Sequence, residues 1–268
     1  MEGNAELYPI YRRWHAGEVL EADGIIVAAD VTQEWLLPWW LSRYQRHNAY
    51  PVTFVDFGMS AEMQKWCAER GRYVKLPVAD VFVSDKDAVQ APVVARWEYT
   101  HGKYFWPCRQ AWFKKPMACL LSPYRRTLWI DVDCEVLGSL EALFELCGHP
   151  SGLAIAKEQH ETSFQKIIYN SGVMAFRWGL KLFETWADLC IDSNDAFPGD
   201  QNVLSQIIQD QGIEICELPL IYNWSRCSPP NPQAVILHWH GAHGKSVIAH
   251  QMAQENLAPF LAPFLEKA

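Results

Sequence analysis

Two carboxylates one residue apart, Asp131 and Asp133, follow the apolar run Thr127-Leu128-Trp129-Ile130. Those four residues suit only a core, so the pair is predicted to stand at the carboxyl end of a buried strand, where open α/β sheets place their ligands. Side chains at i and i+2 of a strand point the same way, so both carboxylates are expected to approach one cation. A hard divalent ion that takes oxygen ligands and bridges to phosphates suits them. The other Asp-x-Asp tripeptide, Asp85-Lys86-Asp87, lies in a polar stretch and is assigned to solvated surface. Towards the other end, Val235-Ile236-Leu237 runs into His238-Trp239-His240-Gly241-Ala242-His243-Gly244-Lys245. Here an imidazole can complete a metal shell, Gly241 lets backbone approach phosphate, and Lys245 can hold phosphate as a point charge. A zinc site of His238, His240 and His243 is the competing reading, and it leaves Asp131 and Asp133 without a role.

These groups need a scaffold, and apolar runs of strand length alternate with helical patterns along the chain. Residues 24–29 (GIIVAA) read as a buried strand ending at Asp30. Residues 36–44 read as a helix with Leu37, Trp40, Leu41 and Tyr44 on one face and Pro38 in its first turn. A second strand at 52–55 leads to Asp56, and Ser60 caps a helix that buries Met63, Trp66 and Cys67 and ends at Gly71. Residues 78–105, rich in Asp, aromatic and Pro residues, are predicted to be loop-bearing with short helices. Beyond them a helix is expected at 112–121, strands at 127–130, 152–156, 173–176, 213–218 and 235–238, and helices at 180–190 and 200–211. The last begins with Asp200 as its cap and stops at Gly212; residues 228–232 (SPPNP) are irregular. The alternation predicts an α/β fold, a mostly parallel central sheet flanked by helices.

Half of the 268 residues are hydrophobic and thirteen are tryptophan, enough for a substantial core in one domain. No uncharged apolar run reaches the roughly eighteen residues of a membrane span, and the first 22 residues are too polar for a secretory leader, so a cytoplasmic setting is expected. The eight cysteines form no C-x-x-C pair and are read as reduced and buried. A net charge of −8 excludes an extended nucleic-acid surface, which needs clustered Lys and Arg. An acidic protein that binds a diphosphate must supply local positive charge from a divalent cation or from placed lysines. Residues 252–265 carry Leu257, Phe260, Leu261, Phe264 and Leu265 between Pro259 and Pro263. They are expected to pack against the domain, with peripheral membrane contact as the alternative.

Five segments in order carry a family resemblance: LWIDVDCEV (128–136), the short helix following at Leu140, YNSGVM (169–174), Gly199-Asp200-Gln201, and His238-Trp239-His240-Gly241. Across about 24–245 the chain resembles GT-A glycosyltransferases, and in pattern the retaining family-eight enzymes. The resemblance implies one GT-A catalytic domain, with a nucleotide-binding half at 24–140 and a sugar and acceptor half at 141–268. It implies transfer of a hexose from a UDP-sugar donor to an acceptor that is a glycan, protein or lipid. Asp131, Asp133 and His238 would hold Mn2+ or Mg2+. Ala28 and Asp30 would line the nucleotide, with Asp56 a lesser candidate. One of Lys114 and Lys115 falls where the family keeps a basic residue, and Val132, Ser171, Gly172, Gly241 and Lys245 join the donor-binding set. Asn170, Asp200 and Gln201 would meet the transferred sugar. The sequence departs from the pattern after the histidine: Lys245 comes seven residues on rather than six, and Ser246-Val247 replaces Pro-Trp. A catalytically silent nucleotide-sugar-binding protein and a metal-dependent phosphohydrolase are the rival readings.

Overall fold

The computed structural model describes residues 21–77, 83–102, 105–159 and 167–261. The expectations for the first twenty residues, for 78–82 and 103–104 within the loop region, and for Phe264 and Leu265 lie outside the described residues.

The chain builds a seven-stranded sheet in the order β3-β2-β1-β4-β7-β6-β8. Its strands are β1 (Glu21–Ala29), β2 (Val52–Asp56), β3 (Arg72–Lys75), β4 (Tyr124–Ile130), β6 (Leu153–Lys157), β7 (Tyr169–Arg177) and β8 (Cys216–Glu217). All neighbours pair parallel except at β7, which runs antiparallel to both β4 and β6. The continuous apolar runs of β1 and β4 follow from burial on both faces. Ile25, Val27, Leu128 and Ile130 enter one core, whereas Ile26, Ala28 and Trp129 enter the other. A second sheet of β5 (Cys134–Val136), β9 (Trp224–Ser225) and β10 (Ile236–His238) has β10 at its centre.

Nine α-helices are described: α1 (Leu37–Gln45), α2 (Ala61–Ala68), α3 (Ala91–His101), α4 (Phe105–Trp112), α5 (Lys115–Leu120), α6 (Glu141–Leu146), α7 (Lys181–Asp192), α8 (Asp200–Asp210) and α9 (Gly241–Gln254). Pro38 lies in the first turn of α1, and the Ser60 hydroxyl accepts from the Met63 amide at 3.2 Å. The expected helix over 112–121 divides at Phe113-Lys114 instead. Pro116 has no N–H for the Trp112 carbonyl and its ring would clash there, so a new helix starts at Lys115. The middle region is more ordered than its composition suggested, because Val94 and Trp97 of α3 pack with Phe105 of α4. β8 is shorter than expected, since Gly212, at φ +60°, turns the chain and the Ile213 amide returns to the Ile208 carbonyl.

The two sheets meet at the residues of interest. Asp131-Val132-Asp133 is a turn, closed by the Cys134 amide on the Asp131 carbonyl at 3.0 Å, and it links β4 to β5. β5 pairs antiparallel with β10 in the register His238↔Cys134, which sets His238 beside Asp133. The β4–β7 ladder continues through the Asp131 amide to the Gly172 carbonyl at 2.8 Å, bringing the Asn170-Ser171-Gly172 segment alongside. Leu257, Phe260 and Leu261 pack against the core, and Phe260 lies edge-on to Trp66 at 6.2 Å. Leu261 is buried, and Leu257 and Phe260 are half-buried against it. No helix among the described residues is long and apolar enough to cross one.

Candidate active site

The site forms where β4 and β1 end, at the edge shared with the small sheet. Asp133 is buried, with its Oδ2 2.9 Å from Lys245 Nζ and its Oδ1 3.4 Å from His238 Nε2. Burial alone would raise the Asp133 carboxyl, but Lys245 and His238 hold it well below the ordinary carboxylate range. Burial would lower the His238 ring, and Asp133 raises it. Lys245 is likewise raised by Asp133 against the opposing effect of burial. His238 Nδ1 lies 3.0 Å from Asn223 Oδ1.

Asp131 faces a different cation. Lys115 Nζ sits 3.0 Å from Asp131 Oδ1, 3.8 Å from Asp200 Oδ2 and 3.0 Å from Ser171 Oγ, and the Trp129 indole donates to Asp131 Oδ1 at 2.7 Å. The expectation that Asp131 and Asp133 share one strand face is thus corrected: the strand ends at Ile130, and the turn separates the two carboxylates onto different partners. Asp200 is the first residue of α8 rather than its cap, which is Gly199. Its carboxylate turns inward to accept from the Ser171 hydroxyl at 2.7 Å, and its carbonyl accepts from the Trp186 indole at 2.9 Å. Burial raises the Asp200 carboxyl, partly offset by Lys115 and Ser171.

Asn170 lies in the same cluster, with Nδ2 donating to Glu158 Oε2 at 2.6 Å. Gly172 has no room for a side chain, because a Cβ would stand 2.4 Å from His238 Cε1. Val132 is buried in the core, and Gln201 is half-buried at the start of α8. At the end of β1, Ala28 is buried and Asp30 Oδ1 accepts from the Thr32 and Gln33 amides, holding the turn. Asp56 is committed in the same way: it accepts from the Gly58 and Met59 amides and from the Tyr73 hydroxyl. Lys114 reaches the Phe57 carbonyl at 2.9 Å, whereas Lys115 enters the carboxylate cluster. Gly241, at φ +79°, opens α9 on the exposed side.

Among the described residues, one group of three could hold a metal: ligand atoms of Asp133, Cys134 and His238 lie within 4.8 Å of one another. The Cys134 thiol is packed in the core, and burial pushes it well above its ordinary value. The remaining carboxylate and imidazole fit a hard or borderline divalent ion. The zinc triad does not assemble: His240 turns to Ser225 Oγ at 2.8 Å and His243 is exposed. All eight cysteines are free; Cys227 is exposed, contrary to the general expectation of burial.

Sequence reasoning missed Glu158 and Asn223. Neither stands in a recognisable motif, and only the chain's return through β9 and β10 brings Asn223 to the histidine.

The fold is that of the GT-A glycosyltransferases. GlyE of Streptococcus pneumoniae superposes at TM-score 0.56 with 16% identity, over 89% of this chain and 64% of that one, so this chain spans less than two thirds of its length. The galactosyltransferase LgtC, solved with donor and acceptor sugar analogues, superposes at 0.54 with 13% identity over 89% of this chain and 100% of LgtC. Mouse xyloside xylosyltransferase 1 superposes at 0.51 with 16% identity, over 82% of this chain and 97% of that one. No protein-family model and no curated protein sequence matches the chain.

Proposed function

We propose that this protein is a glycosyltransferase that moves a hexose from a UDP-sugar donor to a glycan, protein or lipid acceptor, with retention of anomeric configuration. The observation that carries the reading is the pairing of His238 with Asp133 at the carboxyl end of the sheet in a GT-A fold, with Lys245 on the other carboxylate oxygen. Asp133 and His238 would hold Mn2+ or Mg2+, and Asp131, which pairs with Lys115 and lies outside that group, would join them by leaving the lysine. A bound divalent ion supplies positive charge to the diphosphate as it leaves.

The chain's own groups do the rest. Lys245 is placed to exchange Asp133 for a diphosphate oxygen, where the charge grows as the sugar–oxygen bond breaks. Lys115, Asp200 and Ser171 form a buried, hydrogen-bonded wall beside Asn170. In this reading Asp200 and Gln201 support an oxocarbenium-like C1 electrostatically. The acceptor hydroxyl bonds to C1 on the face the diphosphate leaves, and its proton passes to a leaving phosphate oxygen. Ala28 and Asp30, at the end of β1, line the nucleotide.

A donor panel with Mn2+, followed by release of the nucleoside diphosphate, tests this. Release from a UDP-hexose that is lost in Asp133→Asn supports the reading. Binding of every donor without turnover would instead mark a silent binding protein, and phosphate release from simple esters a phosphohydrolase.

A further inference from the structure

His238 is held by a hydrogen-bond chain whose direction is fixed at its far end. The Gly172 amide, which can only donate, lies 2.9 Å from Asn170 Oδ1, so that atom is the oxygen of the side-chain amide. Asn170 Nδ2, which can only donate, then faces Glu158 Oε2 at 2.6 Å, which agrees. With Asn170 Oδ1 an acceptor, Asn223 must turn Nδ2 towards it, at 2.9 Å. The Asn223 oxygen is thereby left facing His238 Nδ1 at 3.0 Å, so Nδ1 carries a proton. The nitrogen that remains to meet an ion is Nε2, the one directed at Asp133. Asn223 is buried, at 4% exposure, so no water competes freely for these contacts.

We infer that Asn223 is the positioning residue that sets the tautomer and ring orientation of His238 for a divalent cation, with Asn170, Glu158 and the Gly172 amide fixing its polarity. The inference rests on the proposed metal role of Asp133 and His238. It gives Asn170 a task that needs no contact with sugar. Partners one step removed from a metal typically change its affinity by about 10–100-fold.

Mn2+ affinity, read from the loss of the free-ion EPR signal, tests it in the full chain. Asn223→Leu removes both the acceptor for Nδ1 and the donor to Asn170, and is expected to weaken Mn2+ binding about 10–100-fold. Asn223→Asp keeps an oxygen for the Nδ1 proton but loses the donor to Asn170. It is expected to melt as early as the leucine variant while keeping wild-type Mn2+ affinity within a few-fold. In proteins carrying 15N-histidine and a diamagnetic ion, Nδ1 of His238 should be the protonated nitrogen in wild type and in Asn223→Asp, but not uniformly so in Asn223→Leu. Wild-type affinity in Asn223→Leu, or Nε2 protonated in the loaded wild type, overturns the inference while Asp133→Asn still abolishes binding. If the wild type takes up no Mn2+, or Asp133→Asn takes it up normally, the metal role fails and the inference fails with it.

Discussion

Gly172→Ala is a small change placed where the site has no slack. A Cβ there would lie 2.4 Å from His238 Cε1, 2.8 Å from Nδ1 and 2.9 Å from Asn170 Oδ1. Carbon atoms rest at about 3.5–4.0 Å, so the ring must retreat by about 1 Å or more, or β7 must bend away from β4. Either movement opens the 3.4 Å approach of His238 Nε2 to Asp133 and strains the bond to Asn223. Overpacking of this kind costs about 1–3 kcal/mol, and about 2–4 °C of melting temperature per kcal/mol in a chain of this size. The effect on the site should exceed the effect on the fold. Mn2+ affinity is expected to fall about 10–100-fold, and donor turnover by on the order of 100-fold for a displacement of this size. Calorimetric melting, EPR titration with Mn2+ and nucleotide release on one preparation separate the two. A variant that melts early yet binds Mn2+ and turns over like wild type would refute the reasoning, since His238 would then not share the wall that Gly172 forms.

Lys115→Met would leave Asp131 and Asp200 without the ammonium that lies 3.0 and 3.8 Å from them. Removing one partner from a buried ion pair costs about 3–5 kcal/mol, readable in a urea titration. Asp200 is already raised by burial, and losing the ammonium raises it further. A carboxyl raised in the folded state takes a proton more readily there than when unfolded, so the deficit should shrink as the pH falls into the carboxylate range. A deficit that grows with acid would contradict this. His240 is lowered from its ordinary 6.5 to about 4, first by burial and then by His238. The unfolded chain therefore binds a proton that the folded one refuses, and stability should fall as the pH drops from about 6.5 to about 4. His240→Asn should lack that component, worth about 1–2 kcal/mol once the ring's partial exposure is discounted; parallel acid slopes for variant and wild type would count against it.

Much of the scaffold was legible because burial on both faces writes itself as apolar runs: 24–29, 52–55 and 127–130 all became sheet strands. Ser60, Pro38 and Gly212 also did what their chemistry requires. The break at Pro116 was written in the sequence too, but the flanking apolar residues masked it as one helix. The polarity of the site was harder to read. Only Val132 separates Asp131 from Asp133 in sequence, yet a single hydrogen-bonded turn sends one to Lys115 and the other to Lys245 and His238. Asp200 resembled a cap because its position before an apolar periodicity is the same whether its carboxylate faces the helix end or Ser171. Glu158 and Asn223 left no local trace, because Glu158 meets Asn170 from the end of β6 and Asn223 meets it from just before β9, 12 and 53 residues away in sequence.

The central claim is that one divalent ion and a nucleoside diphosphate meet at Asp133 and His238. A crystal structure with Mn2+ and UDP, using anomalous scattering to locate the metal, tests it directly. The account predicts the ion between Asp133 and His238 Nε2, with Lys245 Nζ moved from the carboxylate to the diphosphate and the uridine beyond the ends of β1 and β4. Mn2+ bound elsewhere, or UDP bound while Lys245 and His238 keep their contacts with Asp133, would contradict it.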